Sequence, residues 1–137
     1  MQDILELFRL YKKYDEFSDP ELRLYLFPSL NLRQCKKHYD GEELIGFTNW
    51  AFLSDKAQHK FIKTGFIDKY DWKSGNNIWH IETVAKKNLK EIMSWTKNYF
   101  SSIFETNTPV SWLRIRNNEP YRKATRYTKE HYKWAVQ

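Results

Sequence analysis

The chain is 137 residues long, about the length of one ordinary domain, and its formal net charge is +6. Its 6 tryptophans, 9 tyrosines and 9 phenylalanines supply enough large rings for a buried core, which excludes an intrinsically disordered chain. No apolar run approaches the roughly 20 residues of a membrane-spanning helix, and the N-terminus lacks the basic and apolar regions of a signal peptide. We therefore expect a single domain over residues 1–137 with no membrane span.

The lone cysteine, Cys35, excludes an internal disulfide framework and favours a reducing, cytoplasmic setting. Cysteines and histidines are too few and too scattered to predict a structural zinc site, so we expect no bound metal.

The first half of the chain predicts three helices and one buried strand. Apolar side chains at helical spacing predict an amphipathic helix over Ile4–Tyr14. A Ser-Asp-Pro start signal predicts a short second helix over Glu21–Phe27, ending at the following proline. The apolar run Leu44–Phe52 predicts a buried strand, in which Gly46 marks a bulge or a close approach. A serine cap and a closing glycine predict a third helix over Asp55–Lys63.

The second half predicts a strand, a long helix and two further strands. The β-rich segment Ile78–Val84 is followed by the strongest helical pattern in the chain, Asn88–Phe104. Strands are then predicted over Val110–Arg116 and over Lys123–Tyr127. Because a helix connects the strands at Ile78–Val84 and Val110–Arg116, we expect them to be parallel neighbours. The predicted fold class is therefore α/β or α+β.

Positive charge is concentrated near the C-terminus, where residues 113–133 carry seven basic side chains against two acidic ones. The basic residues are Arg114, Arg116, Arg122, Lys123, Arg126, Lys129 and Lys133. Tyrosines lie between them, so the segment suits nucleic acid, through phosphates and stacking. It suits an acidic protein equally well, because electrostatic steering depends on charge alone. A solvated strand face is the plain alternative.

Four segments resemble one known family. Residues 71–82 read D-W-K-S-G-N-N-I-W-H-I-E, similar to the D-W-x-S-G-x-x-x-W-x-I-D pattern of the RTX-toxin-activating lysine acyltransferases. Residues 49–54 read N-W-A-F-L-S and resemble the family's S-W-A-x-L-S. Residues 113–115 resemble its I-R-V strand, and residues 123–127 resemble its K-V-x-x-F strand. The resemblance runs from about Phe27 to Tyr127.

The resemblance implies a fold like the Gcn5-related N-acetyltransferases, with a central twisted mixed sheet flanked by helices. It also implies transfer of a fatty acyl group from acyl carrier protein to a lysine of a protein acceptor, and a homodimer. Carrier protein is acidic, so we expect Arg114, Arg116, Arg122 and Lys123 to dock it. The wider fold holds coenzyme A pyrophosphate with a glycine-rich turn. Residues 85–88 read A-K-K-N without glycine, which disfavours coenzyme A.

The resemblance assigns the family's essential acid to Glu82, which keeps the carboxylate and adds one methylene. The family's other essential residue is a histidine after the first helix. This chain has no histidine before His38, and either Tyr14 or Leu22 falls near the missing position. His80 is a candidate substitute, because strand alternation places it on the same face as Glu82, with Cβ atoms about 7 Å apart. Such a pair could remove a proton from a lysine amine near neutral pH.

Each of these catalytic roles has an ordinary structural alternative. Glu82 is alternatively an ordinary surface or salt-bridged carboxylate, and His80 a core histidine packed beside Trp79. His38 is expected to lie exposed in a loop or edge strand. A second hypothesis is therefore a catalytically inactive protein that keeps the fold for binding or structure, such as an internal component of a bacteriophage virion. A third is a nucleic-acid binder that uses the basic C-terminal segment.

Overall fold

The computed structural model describes residues 1–114 and 122–129. Within these ranges five strands form one sheet in the order β1-β2-β3-β4-β5. They are β1 (Cys35–Asp40), β2 (Glu43–Leu53), β3 (Asn77–Ala85), β4 (Pro109–Arg114) and β5 (Arg122–Tyr127). Neighbouring strands are antiparallel except β3 and β4, which are parallel. The predicted parallel crossover is confirmed, as is a mixed sheet flanked by helices of the acetyltransferase-like class.

The helices of the described ranges are α1 (Gln2–Phe8), α2 (Asp19–Asn31), α3 (Asp55–Thr64) and α4 (Leu89–Ile103), with a 3₁₀ turn at Lys12–Tyr14. The signals predicted for α3 are confirmed, since the Ser54 hydroxyl accepts from the Ala57 N–H at 3.0 Å and Gly65 ends the helix at φ 71°. The prediction for α4 is correct to within one residue at each end. None of the described helices combines the length and the apolar character that crossing a membrane requires.

The helices divide between the two faces of the sheet. Phe47, Ala51 and Leu53 of β2 pack against α1, α2 and α3, and we call this side the front face. Trp50, which alternates with them along the strand, packs against Phe100 of α4, and we call this side the back face. Each face therefore has its own apolar cluster, and every site residue can be assigned to one side.

The first helix is shorter than the predicted Ile4–Tyr14. It ends at Phe8, and Tyr11 has extended backbone (φ −109°, ψ 120°) before the 3₁₀ turn. The reason is tertiary, because the Tyr11 hydroxyl accepts from the Ala85 N–H at 2.9 Å at the end of β3. Apolar spacing predicts a helix here, but it contains no information about this bond.

The second helix is longer than the predicted Glu21–Phe27. It continues through Pro28 to Asn31, and the Leu32 N–H still donates to the Pro28 carbonyl at 2.9 Å. Proline removes only the bond to the carbonyl of Leu24, a residue on the exposed side of the helix. The extra turn carries Ser29, which the site uses.

Gly46 marks both a bulge and a close approach, since His38 of β1 faces Gly46 but Tyr39 faces Leu44, which leaves Ile45 as an extra residue in β2. A Cβ atom there would lie 2.4 Å from Cδ1 of Ile92, so α4 packs directly on the glycine. A second bulge lies in the pairing of β2 with β3, where Asn49 faces Glu82 but Trp50 faces His80. Ile81 is therefore an extra residue in β3.

Strands β3 and β4 pair over a short distance. Among the described residues, Ile78 faces Val110 and Trp79 faces Ser111, with no further pairs toward the ends of the strands. The backbones of residues 80–85 and 112–114 therefore border a gap in the sheet, immediately beside Glu82.

Candidate active site

The Glu82 carboxylate lies on the front face of β3 and is 8% exposed. The Tyr25 hydroxyl donates to its Oε1 at 2.9 Å, and the Tyr14 hydroxyl donates to its Oε2. The Lys13 ammonium lies 3.7 Å from Oε2. A carboxylate is costly to bury without partners, and here each oxygen has at least one. Glu82 is therefore an organised anionic centre and not a surface carboxylate.

Two tyrosines reach Glu82 because separate elements hold their rings. Tyr14 belongs to the 3₁₀ turn, where its carbonyl accepts from the Arg9 guanidinium at 2.8 Å. Tyr25 lies on α2 with its ring edge against Trp72, at 6.1 Å between centroids. Phe17 lies beside both rings, 6.3 Å from Tyr14 and 6.4 Å from Tyr25. These contacts orient both hydroxyls toward the Glu82 carboxylate.

Both hydroxyls keep their protons over the physiological pH range. Burial, reinforced by the charge of Glu82, raises the pKa of Tyr14 and of Tyr25 far above the usual tyrosine value. Neither phenol can therefore act as a base at neutral pH. They serve as hydrogen-bond donors that hold the carboxylate in place.

Asn49 fixes the backbone of Glu82 at the bulge. Its Oδ1 accepts from the Glu82 N–H at 2.9 Å, and its Nδ2 donates to Ser29 Oγ at 3.0 Å. The Ser29 hydroxyl in turn donates to the Leu26 carbonyl at 3.0 Å. Asn49 is fully buried, so this chain of bonds ties α2, β2 and β3 together behind the carboxylate.

His80 does not share a face with Glu82, and that prediction is wrong. Residues 49 and 50 alternate along β2, and they oppose Glu82 and His80 respectively, so the two side chains leave the sheet on opposite sides. The Ile81 bulge breaks the strict alternation on which the prediction depended. On the back face, His80 Nε2 lies 2.6 Å from Thr83 Oγ1. Burial, together with the charge of Arg126, lowers the pKa of His80 to about 4.

A cavity of about 570 Å³ lies on the back face between α4 and strands β4 and β5. This volume is within the range of about 300–1,000 Å³ typical of small-molecule sites. His80 and the apolar side chains of Met93, Phe100, Val110 and Trp112 line it. The cations Lys97, Arg126 and Lys129 also line it, and none of its described lining residues is acidic. The cavity reaches the gap in the sheet, because His80 and Trp112 each directly follow a paired residue.

Of the four basic residues predicted to dock an acidic partner, the three that the structure describes do not share one face of the sheet. Arg114 faces Arg122 across β4 and β5, and alternation with Trp112 places both on the back face. Lys123 points to the front, with its ammonium 5.8 Å from the centre of the Trp79 ring. Arg116 lies outside the described residues. Among those described, the cations nearest the cavity are instead Lys97, Arg126 and Lys129.

The two lysines that precede α4 already form ion pairs with acidic side chains. Lys86 pairs with Glu43 at 2.6 Å, and Lys87 pairs with Asp40 at 2.7 Å and with Glu43 at 3.2 Å. A pyrophosphate at this helix start would have to compete with two carboxylates for them. In residues 1–114 and 122–129 no three potential ligands among histidine, cysteine, aspartate and glutamate converge on a metal position.

His38 and His59, the other histidines of the described ranges, do not join the site. His38 lies on edge strand β1 but is only 8% exposed, contrary to the expectation of a solvated residue, because its ring packs edge-on against Trp95 at 5.2 Å. Burial, together with the charge of Lys36, lowers the pKa of His38 to about 4. His59 is exposed on α3. Cys35 is half-buried, and burial raises the pKa of its thiol, which makes it a poor nucleophile.

A family model described as the RTX toxin acyltransferase family matches residues 3–128 of the chain. The chain belongs to this family. It is also 26% identical, over 100 residues, to the leukotoxin-activating lysine-acyltransferase LktC of Pasteurella haemolytica-like sp. (strain 5943B). That similarity covers 66% of the chain and 61% of the relative, so less than two thirds of the relative's length is matched.

The D-W-x-S-G segment of this RTX toxin acyltransferase family member, residues 71–75, helps to position the side chains around Glu82. The Phe52 N–H donates to the Trp72 carbonyl at 2.9 Å, and the Ser74 hydroxyl accepts from the Ser54 N–H at 3.0 Å. A Cβ at Gly75 would lie 2.5 Å from the Ser54 Cα, so only glycine fits. The segment thus fastens Trp72, and through its ring Tyr25, behind Glu82.

The sequence pattern did not identify several of the residues that contact Glu82. Tyr14 was one of two candidates at the missing histidine, and the structure places it on Glu82, whereas Leu22 is buried in the front core. Tyr25 and Lys13 carry no signal, because each lies in a segment that reads as ordinary helix. Asn49 did carry one, as a buried amide in the middle of an apolar strand.

Proposed function

We propose that this chain is a protein-lysine acyltransferase that takes a fatty acyl group from acyl carrier protein. The observation that carries the proposal is the buried Glu82 carboxylate, held by two tyrosine hydroxyls beside the gap between β3 and β4. Family membership favours the same activity over a virion component or a nucleic-acid binder.

Glu82 acts as the general base in this proposal. An acceptor lysine reaches it as an ammonium group, which must lose a proton before its nitrogen can attack. Glu82 takes that proton while the phenols of Tyr14 and Tyr25 keep theirs. The amine then attacks the thioester carbonyl and a C–N bond forms, while the nitrogen loses a second proton to solvent. The C–S bond breaks, and the thiolate leaves as a thiol with the proton that Glu82 took up.

The resemblance leaves Tyr14 or Leu22 near the position of the family's histidine, and of these two Tyr14 is the one that contacts Glu82. A tyrosine whose pKa is raised by burial and by a carboxylate cannot accept a proton at neutral pH. His80 cannot take the role either, since it leaves the sheet on the back face. Glu82 is then the base that remains next to the gap, with Tyr14 as the donor that orients it.

The donor is proposed to approach from the back face. The cavity offers an apolar lining to an acyl thioester, and Lys97, Arg126 and Lys129 offer positive charge to an anionic carrier. In this proposal the acyl thioester reaches Glu82 through the gap between β3 and β4, so that donor and acceptor meet from opposite sides of the sheet. The ion pairs of Lys86 and Lys87 support a carrier protein over coenzyme A.

The test is acyl transfer from loaded acyl carrier protein to a lysine-bearing protein acceptor, followed by mass spectrometry. Glu82→Gln is expected to lower the rate about 100-fold or more, the contribution typical of a general base. Glu91→Gln, on the exposed side of α4, is the matched control and should keep the wild-type rate. Transfer by Glu82→Gln at the wild-type rate would remove the proposed base, and no transfer with any acyl length would favour an inactive binding protein.

A further inference from the structure

Lys13 presents a primary amine to the proposed reacting centre. Its Nζ lies 3.7 Å from Oε2 of Glu82 and 5.2 Å from the centre of the Tyr14 ring. The side chain is 54% exposed, so solvent and a second substrate can reach it. No other basic residue of the described ranges forms an ion pair with Glu82.

These are the contacts that a substrate lysine needs at this site. Its ammonium group must meet the base, and an aromatic ring face favours a cation. We propose that Lys13 is itself an acyl acceptor, so that the protein modifies its own Lys13 with the acyl group of the bound donor. This inference rests on the proposed function, because it uses the same base and the same thioester donor.

The step balances as ordinary aminolysis. Glu82 accepts a proton from the Lys13 ammonium, and the free Nζ attacks the thioester carbonyl carbon. The C–N bond of an amide forms as the nitrogen loses a second proton to solvent, the C–S bond breaks, and the carrier's sulfur leaves as a thiol with the proton that Glu82 took up. No oxidant, reductant or further reactant is required.

Acylation of Lys13 would change the site in two ways. The amide has no charge, so the ion pair with Glu82 is lost. The attached acyl chain would begin next to Phe17, whose ring is 39% exposed and lies beside Tyr14. An acyl chain on Lys13 would therefore lie on the front face, from which the acceptor lysine is proposed to approach Glu82, and modification would limit further turnover.

Lys12 provides an internal control. It lies in the same 3₁₀ turn and is also exposed, but no ion pair joins it to Glu82 among the described contacts. Non-specific acylation by a reactive thioester would modify both lysines, whereas site-directed acylation selects Lys13.

The experiment incubates the full chain with carrier protein loaded with a defined fatty acid, in parallel reactions with and without a lysine-bearing protein acceptor. Intact mass and peptide mapping follow hydroxylamine treatment, which removes thioesters and leaves amides. We expect one amide-linked acyl group on Lys13. Lys13→Arg and Glu82→Gln should each lower self-labelling at least tenfold, while Lys12→Arg keeps it.

The outcomes separate this inference from the proposed function. Acylation of the external acceptor without label on Lys13 would overturn self-acylation and leave the transferase intact. Equal labelling of Lys12 and Lys13 that persists in Glu82→Gln would also overturn it, as unspecific chemistry. Absence of label on both Lys13 and the external acceptor would overturn the transferase, and self-acylation with it.

Discussion

The two faces of β3 satisfy their polar groups in different ways. On the front, both oxygens of Glu82 and its backbone N–H have partners, supplied by Tyr14, Tyr25 and Asn49. On the back, His80 borders a cavity whose cations lie exposed at its edge. A centre that handles protons benefits from fixed geometry, whereas a surface that admits a ligand needs unoccupied space and available charge. One bulged strand supplies both.

The largest difference between the two faces is expected in the stability that is lost when a tyrosine hydroxyl is deleted. Tyr25→Phe leaves Glu82 Oε1 without its donor and should lower the free energy of unfolding by about 2 kcal/mol, because hydrogen bonds to charged groups contribute roughly 1.5–3 kcal/mol. Tyr14→Phe should have a similar effect. Tyr127→Phe, at the exposed edge of the cavity, should change stability by less than about 0.5 kcal/mol. Urea denaturation measures all three, and equal losses would mean that the front-face network adds no stability.

A smaller effect, on the KM for loaded carrier protein, is expected when cations on the two faces are replaced. Arg126→Gln should raise the KM for loaded carrier protein about fivefold with little change in kcat, because a rim charge acts mainly on association. The effect should shrink as salt is added. Lys123→Gln, one strand face away, should leave KM near the wild-type value. The same KM increase in both variants would place the carrier elsewhere than the back face.

The smallest effect is the pH dependence of stability, which we expect to arise from histidines on the back face. His38 and His80 have pKa values lowered to about 4, against about 6.5 for unfolded histidine. As pH falls from 6.5 toward 4, the unfolded chain binds protons that the folded chain does not, so stability must fall. Thermal unfolding across this range should show a gentler slope in His38→Gln than in the wild type. An unchanged slope would contradict the assignment for His38.

Local signals predicted much of the fold because they depend on neighbours in sequence. Ser54 and Gly65 bounded α3, and the helical spacing of residues 88–104 bounded α4 to within a residue. A helix between two strands implied their parallel pairing. Where the contacts that decide a boundary come from afar, prediction failed. The bond from Ala85 to Tyr11 ends the first helix early, and no local pattern contains it.

The sequence by itself determined the family and most of the order of elements, and it proposed Glu82 as the acid, since each depends on residue types at fixed spacing. Only the tertiary structure decided which side chains meet that acid. The extra residue at Ile81 sends His80 to the opposite face, and elements 57 and 68 positions away bring Tyr25 and Tyr14 to the carboxylate. Periodicity assumes an unbroken strand, and it cannot foresee contacts between residues so far apart along the chain.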